Sequence, residues 1–355
     1  MSGGTRAPTR VSGGQPTPRG RLGRLASWVP WAVAGVLGLA CLALGVVLLT
    51  GDDESSSSAN ATQVRARPAE PAGRIAGFPI RVGDAPSAIT VGSKYVWAVN
   101  ELSGTLVGID PTRNEVVGSP IPIGGRPRFV ALANGALWVS SFDGNTVTRV
   151  SSPNRTVVSR AKVGRSPWGI GVTSDSIWVV NHDDDTVQPV STSTGEPAGS
   201  PIEVGQAPVS ATVGDSALWV TNSQGDSVTR VDLRNRTVAR TIRVGDHPEG
   251  ISFGVGAIWV ANLDDDTVSR IDPATNKVVA TIRVGDRPLF LKATEGGVWV
   301  PNSGDGTLSR IDPATNHVVG APVKIGRSVE RVGSGFDGIW AVDAAEDTVT
   351  RVAPR

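Results

Sequence analysis

Residues 256–288 read GAIWVANLDDDTVSRIDPATNKVVATIRVGDRP, and this stretch decides the fold of the chain. It contains three segments with the length and composition of β-strands, at residues 257–261, 267–272 and 277–284. Turns rich in Asn and Asp separate these segments, and Gly285 ends the third before another short apolar run begins. No helical periodicity is present, so the stretch predicts a repeating unit of four strands joined by short turns.

This unit recurs seven times. Its Trp recurs at intervals of 40 or 41 residues, at Trp97, Trp138, Trp178, Trp219, Trp259, Trp299 and Trp340. The Gly that opens the turn recurs at the same intervals, at Gly83, Gly124, Gly164, Gly205, Gly245, Gly285 and Gly326. Two independent markers with one period and four strands per repeat are typical of β-propeller blades. The sequence therefore predicts an all-β fold, a seven-bladed β-propeller with four-stranded blades over residues 74–355.

The two ends of the repeat region indicate how the ring closes. The last repeat stops at Arg355 without a counterpart of the strand at residues 277–284. An unassigned segment, RIAGFPIRV at residues 74–82, precedes the first complete repeat. Closing the ring removes exposed strand edges. We therefore expect this N-terminal segment to supply the outer strand of the last blade.

The repeats, WVAN followed by DTVSRID, PATNKVVATI and VGDRP, resemble the YVTN-type repeats of bacterial extracytoplasmic propellers across residues 74–355. This resemblance implies the fold, and a binding or surface-exposed role more often than an enzymatic one. Propellers host many unrelated activities, so the resemblance says little about function. Similar propellers also form the extracellular ends of sensor kinases. A sensor ectodomain partnered with a separate signalling protein is therefore an alternative, although the chain itself has no kinase motif.

The N-terminal part predicts a membrane anchor. Residues 1–24 contain five Arg and no acidic residue in a Gly-, Ser- and Pro-rich context, which is typical of a disordered tail. Residues 25–51 are uncharged and apolar enough to form one transmembrane helix. Arg before this helix and acidic residues after it place the N-terminus in the cytoplasm and the propeller outside. Residues 52–73 are rich in Ser and Pro and predict a flexible stalk.

Two other interpretations of the apolar segment are open. A cleaved signal peptide would use the small residues 59–61, but they lie about ten residues beyond an apolar run that is long for such a peptide. Cys41 could carry a lipid, although mostly apolar residues follow it. We therefore favour an uncleaved anchor in the cell membrane. Because Cys41 is the only Cys, no intramolecular disulfide and no Cys-based metal site can form.

The charge balance limits the class of partner. Residues 52–355 contain 29 Lys and Arg against 33 Asp and Glu, which is not the basic surface that nucleic acid requires. We expect a monomer that binds a protein, an envelope glycan or a small ligand.

The repeated Gly opens a turn that reads VGxxP in five repeats, IGGRP in the second and IGRSV in the last, and we call all seven the VGxxP turns. The residues that follow each of them enter the innermost strand and should surround the mouth of the central channel. The first of these positions carries Ser87, Arg128, Trp168, Val209, Glu249, Leu289 and Glu330. The next carries Ala88, Phe129, Gly169, Ser210, Gly250, Phe290 and Arg331. Their chemistry varies between blades while the framework repeats, so these residues could line an amphipathic pocket. An ordinary solvated channel mouth, with residues that vary freely, is the other interpretation. The predicted ligand-binding residues are Arg128, Phe129, Trp168, Glu249, Phe290, Glu330 and Arg331.

The acidic loops that open on the same face allow two interpretations. Residues 182–185 (HDDD), residues 264–266 (DDD) and Asp305 offer oxygen ligands for a divalent cation. Successive Asp residues in a tight turn point in different directions, and no known calcium-loop spacing is present. We therefore favour turn formation and expect no metal or other cofactor, with a divalent cation as the remaining alternative.

Catalysis has one pair of candidates. The chain has no GxSxG, HExxH or P-loop motif. It is similar in outline to the seven-bladed streptogramin B lyase, and that resemblance implies acid–base catalysis by His and Glu with a divalent metal on this face. His247 and Glu249 are the residues of this chain that match such a pair. An extracytoplasmic lyase or hydrolase is therefore an alternative to a binding module.

The remaining repeated residues are interpreted as structural. We expect each repeated Trp to pack between blades. We expect the repeated strand Arg to be solvated or paired with acids at the outer rim, namely Arg149, Arg230, Arg270, Arg310 and Arg351.

Overall fold

The computed structural model describes residues 69–355. Seven antiparallel sheets form the blades of a propeller, which confirms the predicted fold. The first strands of successive blades contact one another, and that of the seventh blade contacts that of the first. The predicted tail (1–24), transmembrane helix (25–51) and most of the stalk (52–73) lie outside the described residues. Within residues 69–355, no helix has the length and apolar character needed to cross a membrane.

In the first four blades the chain runs from the innermost strand to the outermost one. Blade 1 contains Pro86–Val91, Val96–Asn100, Thr105–Asp110 and Glu115–Pro122. Blade 2 contains Pro127–Ala133, Ala136–Ser141, Thr146–Ser151 and Thr156–Lys162. Blade 3 contains Pro167–Val172, Ser176–Asn181, Thr186–Ser191 and Ile202–Glu203. Blade 4 contains Pro208–Gly214, Ala217–Asn222, Ser227–Asp232 and Thr237–Arg243.

The last three blades follow the same plan, with two interrupted outer strands. Blade 5 contains Pro248–Gly254, Ala257–Asn262, Thr267–Asp272 and Lys277–Arg283. Blade 6 contains Lys292–Thr294, Gly297–Asn302, Thr307–Asp312 and the outer pieces His317–Val318 and Val323–Lys324. Blade 7 contains Val329–Gly335, Gly338–Asp343, Thr348–Pro354 and the outer pieces Gly73–Ile75 and Ile80–Arg81. Two short 3-10 helices, His182–Asp184 and Ser223–Gly225, lie in loops.

The N-terminal segment closes the ring as expected. Gly73–Ile75 pairs with the end of the last strand, and Ile80–Arg81 pairs with its beginning. Ile80 lies opposite Val349 and is buried, whereas Phe78 between the two pieces is 87% exposed. The first described strands therefore complete the last blade, and the ring is closed by pairing between the two ends of the repeat region.

Each repeated Trp is buried between its own blade and the next one. Trp97, for example, packs with Val130 and Leu137 of blade 2, and Trp340 of blade 7 packs with Ile89 of blade 1. All seven are at most 3% exposed. The predicted role of the Trp residues is confirmed, and these large rings are central to the contact between adjacent blades.

The repeated strand Arg residues make a contact that was not predicted, although Arg230 also lies 3.6 Å from Asp215, as expected of a pair with an acid. Each lies directly opposite the Trp of the same blade on the neighbouring strand, as Arg270 lies opposite Trp259. The guanidinium carbons lie 5.0–5.7 Å from the Trp ring centroids in the five blades that contain this Arg, through Arg149, Arg230, Arg270, Arg310 and Arg351. Cross-strand neighbours on one face of a sheet are close enough for such cation–π contacts. These Arg residues therefore cover the Trp rings instead of being simply solvated.

Blades 1 and 3 lack this Arg and replace it from the next blade. Gly108 lies opposite Trp97, and the guanidinium of Arg155, from a turn of blade 2, covers that ring at 5.4 Å. Arg236, from the corresponding turn of blade 4, covers Trp178 at 5.9 Å. The absence of a side chain at Gly108 makes room for the incoming guanidinium, whose Nη1 lies 2.7 Å from where a Cβ would be.

Candidate functional site

The VGxxP loops define the face that we call the top face. In the first six blades the residue before the Pro has a left-handed φ of 49–54°, at Ala85, Arg126, Ser166, Ala207, His247 and Arg287. In five of these its backbone N–H donates to an Asp or Asn of the preceding blade, for example from His247 to Asp226 at 3.2 Å and from Ala207 to Asp185 at 2.7 Å. The acidic loops therefore connect consecutive blades and fix the positions of the VGxxP loops.

A β-bulge after these loops directs side chains into the mouth. Pairing of the innermost strand with its neighbour shifts register after the loop in six blades, as between Pro127 and Phe129 in blade 2 and between Val329 and Arg331 in blade 7. A bulge interrupts the alternation of side chains along a strand. Consecutive residues such as Glu330 and Arg331 can therefore both line the same cavity, and they do so in blade 7.

Blade 6 departs from this plan because of Pro301. The carbonyl of Pro301 accepts a hydrogen bond from Leu289 at 2.9 Å, so its missing N–H would have pointed toward the same inner strand. The inner strand is correspondingly short, and Phe290 donates its N–H to the carbonyl of Glu330 in blade 7 at 3.1 Å. This bridge places Phe290 beside Arg331.

The mouth contains a cavity of about 150 Å³. We call it the mouth pocket, and it is lined by Ser87, Arg128, Trp168, Glu249, Leu289, Phe290, Glu330 and Arg331. Six of the seven predicted ligand-binding residues are therefore brought together. The seventh, Phe129, lies one level deeper and lines the central cavity below.

Arg331 forms the floor of the mouth pocket. Its guanidinium carbon lies 3.6 Å from the ring centroid of Phe290 and 4.4 Å from that of Phe129. Its Nε donates to the carbonyl of Ser87 in blade 1 at 3.1 Å. Burial lowers the pKa of Arg331 to about 9, so the side chain is cationic at neutral pH.

Arg128 is held on the opposite wall by a charge network. Its Nη1 lies 2.8 Å from Glu101, which also accepts two bonds from Arg126. The Arg128 guanidinium also lies 4.9 Å from the Trp168 ring, and burial lowers its pKa. Phe142 meets the Trp168 ring edge-on at 5.7 Å. Glu101 and, through Arg126, Asp143 at 3.7 Å supply the counter-charges of this wall, while Arg128 Nε has no partner among the described residues.

Glu330 differs from the other acids of the mouth. Its carboxylate makes no hydrogen bond and no ion pair with any other side chain within residues 69–355, and the Coulombic attraction of Arg128 and Arg331 acts only from farther away. Burial among the mouth residues raises the pKa of Glu330 to about 7. A carboxyl without a partner in such a site is available to a ligand.

His247 and Glu249, the predicted catalytic pair, are in contact. His247 Nε2 lies 3.2 Å from Glu249 Oε1, and its Nδ1 lies 3.1 Å from Asp264. The hydrogen bond to Glu249 is the largest cause that raises the pKa of His247, and Asp264 adds to it. With a carboxylate at each ring nitrogen, the imidazole is stabilised as a cation, which suits a proton donor better than a general base.

A second ring of mouth residues was not predicted as a ring, although its member His182 lies in the acidic loop at residues 182–185 that the sequence singled out. It consists of the residue after the last position of each second strand, including Glu101, Phe142 and His182. Each of these donates its N–H to the carbonyl of the residue before the Pro, as Phe142 does to Arg126 at 3.0 Å. His182 also lies 5.3 Å from the Trp168 ring. The 40-residue spacing that revealed the first ring applies equally to these positions.

The Asp residues of the acidic loops have partners within the protein. Asp184 accepts bonds from the backbone and side chain of Arg165, and Asp265 accepts one from the N–H of Asp246 at 2.8 Å. Asp305 accepts one from Asp286 at 2.7 Å. Within residues 69–355, no group of three or more His, Cys, Asp or Glu side chains could hold a metal ion.

Comparisons with known proteins show the fold. No protein-family model matches the chain, and no curated protein matches its sequence. A streptogramin B lyase structure superposes with a TM-score of 0.70 at 17% identity, covering 80% of this chain and 98% of that one. An inactive virginiamycin B lyase from Staphylococcus aureus with quinupristin gives 0.69 at 17% identity, covering 78% and 99%. Hydrazine synthase from Kuenenia stuttgartiensis gives 0.69 at 15%, covering 80% and 99%.

Proposed function

We propose that the propeller is a binding module whose mouth pocket receives one polar group of a partner protein. The observation that carries this proposal is the convergence of oppositely charged side chains on a cavity in which Glu330 has no protein partner within residues 69–355. A partly buried carboxyl in this situation gains most from a hydrogen-bond donor supplied from outside. An ammonium, amide or hydroxyl group would meet that need.

The size of the pocket supports a group of a larger molecule. Typical small-molecule sites have volumes of about 300–1,000 Å³. The mouth pocket, at about 150 Å³, is closer to the volume of one side chain. A side chain or a chain end of a partner protein would fill it and leave the top-face loops free to contact the partner surface.

A glycan is supported less well than a protein. Sugar rings bind mainly by stacking on open aromatic faces, and Trp168 is the aromatic residue best placed to offer one. Its ring is already contacted by Arg128, Phe142 and His182. Little of the Trp168 ring face is free for a sugar to stack on. We therefore propose a protein partner, and the experiments below would reveal a glycan or a small ligand instead.

The cellular setting belongs to the same proposal. The apolar segment at residues 25–51, preceded by Arg and followed by acids, supports a single-pass anchor with the propeller outside the cell membrane. The sensor alternative is tested by exchanging this segment for an unrelated anchor. A signalling phenotype that is lost on exchange supports the sensor, and one that is retained excludes it.

The binding proposal is tested by capture from envelope extract with the full-length protein. One variant has Trp168, Glu249 and Glu330 replaced by Ala, and a control has Arg113, Arg234 and Thr275 on the opposite face replaced by Ala. We expect a protein that is retained by the parent and the control and lost by the mouth variant. Equal retention by all three would remove the support for the mouth as a protein-binding site.

A second candidate function rests on the contact between His247 and Glu249. A His stabilised as a cation beside a carboxylate could act as a general acid in a lyase-like reaction. The test is the incubation of the full-length protein with quinupristin, with and without Mg²⁺, followed by mass spectrometry. Turnover that His247→Ala abolishes would support this candidate, and an unchanged substrate in both conditions would exclude quinupristin.

A further inference from the structure

Below the mouth pocket lies a second cavity of about 310 Å³, which we call the central cavity. The innermost strands of all seven blades line it. Among the described residues that line it, two are charged, Lys292 and Arg331, and both are cations, while no Asp or Glu is among them. Its volume corresponds to about ten water molecules, so it has room for a small hydrated ion.

Lys292 stands in this cavity without a partner. Its ammonium makes no hydrogen bond or ion pair with any of residues 69–355, and burial alone lowers its pKa. The side chain is reached by water inside the channel but is surrounded by protein walls. By contrast, Lys324 on the outer side of the same blade donates to the carbonyl of Asp305 at 2.7 Å. An ammonium with no counter-ion inside a channel lined by protein attracts anions, even where water reaches it.

Two hydroxyls of the cavity wall have an unused donor. Thr212 Oγ1 accepts a bond from the N–H of Phe253 at 3.2 Å, and Ser252 Oγ accepts one from the N–H of Ala293 at 3.2 Å. Neither hydroxyl donates to another group within the described residues. Each hydroxyl therefore retains a proton that it can donate to an acceptor in the cavity.

We propose that the central cavity is a binding site for a small oxyanion, a carboxylate or phosphate group, held by Lys292 and by the hydroxyls of Thr212 and Ser252. Arg331 at the roof of the cavity adds positive potential to the same space. Lys292 and Arg331 would repel a cation, so the cavity discriminates by charge. The proposal does not depend on what the mouth pocket binds.

The test uses calorimetric titration of inorganic phosphate, and separately of acetate, into the full-length protein at constant ionic strength. The two titrations distinguish a phosphate site from a carboxylate site. The variant is Lys292→Met, which keeps the stem and removes the charge, and the control is Lys277→Met on the exposed outer strand of blade 5. We expect one saturable site per chain, unchanged in the control and weakened about tenfold or more in Lys292→Met.

A third variant, Lys292→Arg, separates loss of charge from disturbance of the fold, because it should restore most of the affinity. Affinity should also fall as the pH is raised toward the pKa of Lys292, which lies below the ordinary Lys value. Arg331 is the other charged group facing the cavity. The proposal is overturned if neither anion binds saturably to the parent, or if Lys292→Met binds as tightly as the parent.

Discussion

The guanidinium carbon of Arg331 lies 3.6 Å from the ring centroid of Phe290, and the two residues come from different blades. They line both the mouth pocket above and the central cavity below, so this contact separates the two spaces. It exists because Pro301 withholds a donor from the inner strand of blade 6, which then bonds to blade 7 through Phe290. Pro301 in the neighbouring strand thus determines the shape of the floor of the mouth pocket.

Replacing Arg331 by Lys should destabilise the protein by about 1–3 kcal/mol, although the charge is kept. An ammonium cannot lie flat between Phe129 and Phe290 while donating to Ser87. The measurement is chemical denaturation of the full-length protein, with Arg240→Lys on an exposed outer strand as the control. Equal midpoints for the parent and Arg331→Lys would show that the stacked arrangement contributes nothing.

Ring closure can be tested with two apolar residues that are two positions apart. Ile80→Ala should cost about 2–4 kcal/mol, because Ile80 is buried against the last strand. Phe78→Ala should change stability by less than about 0.5 kcal/mol, because Phe78 is 87% exposed. Thermal unfolding of both variants is the measurement, and a similar loss in the two would contradict closure by this segment.

Trp97 of blade 1 is covered by Arg155 of blade 2 and not by an Arg of its own blade. Substitutions at positions 155 and 108 should therefore compensate for each other. Arg155→Asn should uncover Trp97 and cost about 1 kcal/mol, with Asn chosen because Asn114 and Asn276 occupy the same left-handed turn position in blades 1 and 5. Adding Gly108→Arg should recover much of this loss, since the new Arg would lie opposite Trp97 as in five other blades.

Gly108→Arg alone should be destabilising, because Arg155 occupies the space of the new side chain. A double-mutant cycle from denaturation curves checks both statements. Additive effects of the two substitutions would contradict the compensation.

Glu330 should make stability depend on pH. Its folded pKa of about 7 lies above the ordinary value of 4.5, so the folded state binds the proton more tightly. Stability from this group is present below about pH 4.5 and is lost as the pH rises through about 7. Glu330→Gln has no carboxyl to ionise, so its free energy of unfolding should not show this loss. The free energy of unfolding of the variant minus that of the parent should therefore be roughly 1–3 kcal/mol larger at pH 8 than at pH 4.5.

The measurement is denaturation at both pH values. His247, whose raised pKa also makes stability decline with rising pH, is present in both proteins and cancels in the comparison. A difference between parent and Glu330→Gln that stays constant from pH 4.5 to 8 would contradict the burial of Glu330.

Most of the fold could be predicted because the blades are formed by a sequence unit that repeats every 40 or 41 residues. The spacing of the Trp and Gly residues indicated seven blades, and the orphan segment at residues 74–82 indicated the closure. The mouth residues followed from the same period. The second ring, with Glu101 and Phe142, recurs with the same period. It follows the second strand of each blade, so it is distant in sequence from the VGxxP turn that marks the first ring.

Other features could not be predicted because they depend on contacts across blades. The stacking of Arg on Trp requires the pairing register of two strands, and the covering of Trp97 by Arg155 requires the position of the next blade. The effect of Pro301 on Phe290 requires knowledge of which side of the strand its missing N–H would face. Sequence spacing alone contains none of these relationships.

The most direct test of the mouth as a binding site is photocrosslinking in intact cells. The full-length protein would carry a benzoylphenylalanine at Leu289 in the mouth pocket, or at Ala274 on the opposite face as the control. We predict a crosslinked protein at position 289 that is absent at position 274 and reduced by Glu330→Gln. A glycan or a small mass at position 289 would redirect the proposal to that partner class, and identical patterns at the two positions would contradict it.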